Sequence, residues 1–153
     1  KVFDYVRKRL IESITNENQK DGFDGILLRF NKLTNTITYS ASNNHPIVIS
    51  NNSIQHLECN KMPVGKGEKS ESFTLYDMNV SKGDSIYLYT DGYADQFGGP
   101  KGKKFKYKPL NNLLLEIHHT PLSSQKEALD STFTDWQGSL EQVDDVLVVG
   151  IKV

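Results

Sequence analysis

Ser85-Ile86-Tyr87-Leu88-Tyr89-Thr90 is an unbroken run of strand-forming residues that halts at Asp91-Gly92. A second apolar run, Val146-Leu147-Val148-Val149-Gly150-Ile151-Lys152-Val153, follows Asp144-Asp145 and predicts a buried strand in the middle of a sheet. If the two strands are antiparallel neighbours, Asp91 at the exit of one and Asp144 at the entry of the other emerge on the same edge. Carboxylates gathered there repel and lose hydration, so a cation between them is the natural complement. Oxygen-only ligation suits Mg²⁺ or Mn²⁺, and two such ions about 3.5–4 Å apart can bind a phosphate and generate a hydroxide nucleophile. Plainer alternatives stand beside this one. Asp-Gly after a strand is also a hairpin signal, and Asp144-Asp145 also suits a solvated loop.

Around these strands the pattern alternates between hairpins and helices. Phe3, Val6, Leu10 and Ile14 recur at helical spacing, predicting an amphipathic helix over residues 2–17 that ends in the polar stretch Asn16 to Gly22. Residues 25–30 and 36–41 read as an antiparallel hairpin joined by Asn31-Lys32-Leu33-Thr34-Asn35, the first strand being apolar on both faces. A second hairpin turns at Ser50-Asn51-Asn52-Ser53, where Asn tolerates the left-handed backbone of a tight turn. Phe73, Leu75 and Met78-Val80 mark a further strand. Residues 98–108, with Gly98, Gly99, Gly102 and five lysines, read as a flexible basic loop. Two helices follow, one carrying Leu110, Leu113, Leu114 and Ile117 and the other Leu122, Ala128, Leu129, Phe133 and Trp136. They are split by His118-His119-Thr120-Pro121, whose histidines suit a helix C-terminus, while His45 before Pro46 suits a turn. The fold class is therefore α+β, built on antiparallel sheet, in one domain spanning 1–153.

Eighteen Lys and Arg against 19 Asp and Glu leave a net charge of −1, which gives no broad electrostatic reason to bind nucleic acid or a membrane surface. The single cysteine, Cys59, cannot close an intrachain disulfide, so a reducing, cytoplasmic setting is expected.

Four segments carry a family resemblance. Gly83-Asp84-Ser85-Ile86-Tyr87-Leu88-Tyr89-Thr90-Asp91-Gly92 resembles the signature of the SpoIIE/RsbU-like branch of the PPM (type 2C) metal-dependent serine/threonine protein phosphatases: a Gly-Asp turn, an apolar strand, then Thr-Asp-Gly. In the same order, Ala41-Ser42-Asn43-Asn44-His45-Pro46 is similar to the family's Asn-Ala-Gly-His-Pro segment. Met62-Pro63-Val64-Gly65 is similar to its Leu-Pro-Leu-Gly, and Gln142-Val143-Asp144-Asp145-Val146-Leu147-Val148-Val149 to its closing Asp-Asp-x-Thr strand. Asn replaces the family's Gly in the first of these three segments, and Leu147 stands where Thr is common.

The resemblance implies an antiparallel β-sandwich flanked by helices. It implies that Asp91 and Asp144 are ligands to Mn²⁺ or Mg²⁺ in a two-metal site, with Gly92 and Asp145 backing them. The family's earlier Asp-x-x-Gly-His-Gly-like motif, whose Asp bridges both metals, has no counterpart here. Asp21-Gly22-Phe23-Asp24-Gly25 lacks the Gly-His-Gly and reads as a turn, so an N-terminally truncated, inactive catalytic domain is expected. The implied activity of the intact protein is hydrolysis of phosphoserine or phosphothreonine on a phosphorylated regulatory protein in bacterial signalling. Lys101, Lys103 and Lys104 then offer a substrate-recognition loop, with a solvated loop as the alternative reading. A non-catalytic phosphatase-like module that holds a signalling partner is the alternative function. Unpaired edges left by missing strands predict a homodimer or an exchange of the first helix. Light scattering at high concentration is expected to report a species larger than a monomer, and a clean monomer would count against it.

Overall fold

The computed structural model describes residues 1–13, 22–69 and 71–153. In chain order its elements are α1 (Val2–Ser13), β1 (Gly22–Phe23), β2 (Gly25–Asn31), β3 (Thr36–Ser42), β4 (Ile47–Ser50), β5 (Ser53–His56), β6 (Val64–Gly65), β7 (Tyr76–Asn79), β8 (Ser85–Tyr89), α2 (Gly92–Asp95), β9 (Phe97–Gly98), β10 (Lys103–Lys104), α3 (Tyr107–Ile117), α4 (Leu122–Gln137) and β11 (Val148–Lys152). They form two compact units, Lys1–Pro46 with Leu57–Val80, and Ile47–His56 with Ser81–Val153. The expected α+β class with antiparallel sheets is what forms.

In the first unit β2, β3 and β7 make an antiparallel sheet in the order β2-β3-β7, and β1 pairs β6. The β2–β3 turn is closed by Asn31, whose Oδ1 accepts from the Leu33 N–H at 3.0 Å, and by Asn35 at φ 49°. β2 is half-buried rather than enclosed, with Leu27 at 45% exposure. The strand expected from Phe73 begins only at Tyr76. Phe73 is needed elsewhere: it packs edge-on to Phe3 of α1 at 5.3 Å, within a core of Phe3, Met62, Val64 and Phe73. Its N–H also donates to Asp4 Oδ1 at 2.9 Å, so α1 is fastened by Phe3, its one buried residue, and a hydrogen bond together, in place of the longer buried stripe its spacing predicts. Ile14 and the polar stretch up to Asp21 lie outside the described residues.

In the second unit the sheet order is β11-β8-β4-β5, antiparallel throughout, with Tyr89 opposite Val148 and Tyr87 opposite Ile47. The β4–β5 turn holds Asn51 and Asn52 at φ 49° and 57°, as the sequence predicts. One face presents Ile47, Ile49, Tyr87 and Tyr89 to Leu110, Leu114 and Ile117 of α3, the core of this unit. β11 departs from expectation: it lies at the end of the sheet rather than in its middle. Leu147 and Val149 are 56% and 39% exposed, so the apolar run reflects strand propensity more than burial.

A polar network locks α3 and α4 to this sheet. Tyr87 Oη donates to Gln125 Oε1 at 2.7 Å, and Gln125 Nε2 donates to the carbonyls of Thr120 and His118. His118 is the C-terminal cap of α3, as expected, and its Nε2 donates to Asn52 Oδ1 at 2.9 Å. Its Nδ1 is buried without a partner among the described residues. Burial first, then the positive charge of Lys152 and the neighbouring His119, hold its pKa below 6.5. Between that lowered value and 6.5 the unfolded chain binds the extra proton and the folded chain does not, so stability rises with pH across the window. Thermal melts are expected to show destabilisation as pH falls below about 6.5, with a shallower slope in His118→Gln. Equal slopes in the two proteins would refute this.

Candidate functional site

β8 and β11 are antiparallel neighbours, and their ladder extends past both ends of the regular strands. The Thr90 N–H donates to the Leu147 carbonyl at 3.1 Å. Thr90 Oγ1 donates to the Asp145 carbonyl at 2.8 Å and accepts from the Leu147 N–H at 3.0 Å. Gly92 completes the junction, because a Cβ there would stand 2.4 Å from the Asp145 carbonyl oxygen. Asp91 thus sits between two residues that both touch Asp145, and Asp91, Asp144 and Asp145 share one end of the β8–β11 pair. All three are exposed, and among the described residues no ion pair engages any of them.

Asp91 does not open a hairpin. It precedes the short helix α2 at φ −72° and ψ −17°, and its carboxylate makes no capping hydrogen bond there. One oxygen of Asp144 accepts from the Asp145 N–H at 2.7 Å. The negative field of this corner reaches Tyr107, whose pKa is raised by burial and then by Asp91 and Asp95. Tyr107 in turn lies 6.1 Å ring to ring from Tyr89, whose pKa is pushed up to about 12 by burial and by Tyr107.

Hard oxygen donors free of ion pairs fit Mn²⁺ or Mg²⁺. Among the described residues no group of three or more His, Cys, Asp or Glu is placed to hold an ion, so these carboxylates fit as part of a donor set rather than the whole of one.

A positioning residue escapes sequence reading. Gln96, fully buried, donates from Nε2 to the Glu141 carbonyl at 2.9 Å and accepts at Oε1 from the Val143 N–H at 3.4 Å. It therefore tethers the start of the segment whose far end Thr90 holds. Only its polarity amid Tyr93, Ala94 and Phe97 hints at this role.

The basic loop is not a loose tether. Residues 97–98 and 103–104 pair as the hairpin β9–β10, and a Cβ on Gly98 would fall 1.8 Å from the Trp136 carbonyl oxygen. The Gly99 N–H donates to that same oxygen at 2.7 Å, so these glycines serve close approach rather than flexibility. Lys101 and Lys103 are exposed. Lys104 pairs with Asp95 at 2.9 Å and lies over the Phe97 ring. His45 lies in the first unit and belongs to a different cluster.

Comparison with solved structures defines the fold. The SiaA-PP2C domain of Pseudomonas aeruginosa superposes with a TM-score of 0.81 at 19% identity, covering 98% of this chain and 56% of that one. The phosphatase domain of the cell fate determinant SpoIIE from Bacillus subtilis, presoaked with Mn, gives 0.66 at 14% identity, covering 99% and 63%. RsbX in complex with magnesium gives 0.52 at 15%, covering 82% and 53%. The chain thus has the PP2C phosphatase fold and spans about 56% and 63% of the first two of these structures. Residues 4–153 match the family model for stage II sporulation protein E, and the chain belongs to the SpoIIE family of PP2C-type phosphatases. The resemblance read from its four motif segments is borne out. No curated protein matches the chain. Among the described residues no helix is long and apolar enough to cross a membrane.

Gly92→Ala is expected to disrupt the junction by forcing its Cβ against Asp145, whereas Thr90→Val removes two hydrogen bonds at a cost of about 1–3 kcal/mol. Urea unfolding checks both, and a Gly92→Ala midpoint equal to that of the parent would contradict the close approach.

Proposed function

We propose that the intact protein is a metal-dependent phosphatase acting on phosphoserine or phosphothreonine of a regulatory protein in bacterial signalling. These 153 residues would form the later part of its catalytic domain. The observation that carries the reading is the shared end of β8 and β11, where Asp91 and Asp144 arrive on tethered backbone. Asp91 and Asp144 would ligate Mn²⁺ or Mg²⁺, while Gly92 and Asp145 hold the corner through which they meet. A bound pair of ions would supply an activated water and charge neutralisation for the phosphoryl group. The protein's part is to fix the carboxylates in advance, Thr90 and Gln96 restraining the segment that bears Asp144. Lys101 and Lys103, exposed on the β9–β10 hairpin, would meet an acidic or phosphorylated partner, and Lys104, already paired with Asp95, would contribute less.

Family membership, fold and an oxygen-donor corner all support this reading, and the further donors of a complete site would come from sequence beyond these residues. By itself the 153-residue chain is expected to hold metal weakly and turn over little or nothing, because a site short of carboxylates lacks both charge and preorganisation. The test uses the full-length protein with Mn²⁺ and an aryl phosphate. Asp91→Ala and Asp144→Ala are each expected to lower turnover by about 100-fold or more, as when a ligand-dependent charge stabilisation is removed. Wild-type turnover in both variants would sink the assignment, and a full-length protein without turnover that still binds a partner would point to a holding module.

A further inference from the structure

β11 has one neighbour, β8, and ends the order β11-β8-β4-β5. Its register fixes which backbone groups that neighbour uses. The Leu147 carbonyl accepts from the Thr90 N–H at 3.1 Å, and the Val153 N–H donates to the Asp84 carbonyl at 3.0 Å. Alternation along an antiparallel ladder then turns Val149 and Ile151 toward β8 and leaves the N–H and C=O of Val148, Gly150 and Lys152 pointing out of the sheet. Strand propensity accounts for the apolar run, but not for an edge that nothing guards. Residues 146–153 contain no proline, and the register runs without a bulge. The one charged side chain among them, Lys152, is turned away, its Nζ donating to Ser85 Oγ at 3.1 Å and to the His118 carbonyl. The opposite end of the sheet differs: β5, Ser53-Ile54-Gln55-His56, is polar at three of its four positions, as suits a solvated edge.

Apolar surface lies on both sides of that edge. Leu147 and Val149 are 56% and 39% exposed on one face. On the other, a groove of about 450 Å³ opens between β11 and α4, lined by Val146, Val148 and Gly150 and by Leu122, Leu129 and Phe133. We infer that the edge of β11 seats a further strand, apolar on both faces, contributed by the same protein from sequence outside these 153 residues. Its main chain pairs with Val148, Gly150 and Lys152, one set of its side chains enters the groove, and the other covers Leu147 and Val149. Such a strand follows from the fold alone, whatever the protein's activity. The SiaA and SpoIIE domains that superpose on the chain are 56% and 63% covered by it, so the fold includes residues that this chain does not supply. A second copy fills the groove poorly, because its β11 would bring Gly150, which has no side chain, and Lys152, whose ammonium is already engaged.

Hydrogen exchange read residue by residue tests this on the 153-residue chain and on the full-length protein. In the shorter chain the amides of Val149 and Ile151 are expected to be protected, and those of Val148, Gly150 and Lys152 to exchange at about the rate of an unfolded peptide. In the full-length protein all five are expected to be protected, the three outward ones slowed by about 100-fold or more. Outward amides that stay fast in the full-length protein would overturn the inference. So would outward amides of the shorter chain that become protected as its concentration rises, which would seat a second copy at this edge. Val149→Lys supplies an independent reading: it should leave the urea midpoint of the shorter chain nearly unchanged, where position 149 is exposed, and lower that of the full-length protein, where the added strand covers it. Equal midpoint changes in the two would count against the strand.

Discussion

The arrangement at the end of β8 depends on one hydroxyl. Thr90 Oγ1 simultaneously donates to Asp145 and accepts from Leu147, which carries the β8–β11 pairing beyond its last regular residue pair. Together with the Thr90 N–H bond to the Leu147 carbonyl at 3.1 Å, this pair of side-chain hydrogen bonds extends the pairing past Val148 as far as Asp145. With it, the acidic residues that precede β11 are brought beside the one that follows β8. Gly92 matters for the same reason: the two backbones come closer than any side chain allows.

Behind this corner stands a cooperative interior rather than a loop. β8 is flanked by partners on both edges, one face of it covered by α3, and α2 folds back so that Tyr93 packs against Phe105 and Phe133, 5.2 and 5.1 Å between ring centres. Tyr93 also donates to the Leu129 carbonyl at 2.8 Å, joining α2 to α4. Asp91, exposed to solvent, is thereby mounted on one of the best-buried strands of the unit, and Asp144 is held beside it through the end strand β11. That combination lets a charged site remain hydrated while its framework stays fixed.

Much of this was legible in the residues. Alternation and Asn-rich turns located the β2–β3 and β4–β5 hairpins, and helical spacing located α1, α3 and α4, because those signals are local. Adjacency of β8 and β11 stood in the sequence only as the condition under which their terminal acids meet, and the pairing itself supplies it. What failed was information held by distant partners. Phe73 looked like a strand residue because its attachment to Phe3 crosses most of the unit, and Val146–Val153 looked central because strand propensity does not report how many neighbours a strand has. Gly98 and Gly99 looked like flexibility because Trp136 lies far along the chain. Gln96 gave almost no signal, since a buried amide reveals its purpose only when the backbone groups it satisfies are in place.

The tethers on residues 141–147 have a property of their own. Every protein atom that Thr90 and Gln96 grip there, at Glu141, Val143, Asp145 and Leu147, belongs to the main chain. Side chains along the stretch can therefore be exchanged with little change in its path. Divergence could retune which cation or ligand this corner prefers while the scaffold stays put, so chemistry and architecture are separately heritable here.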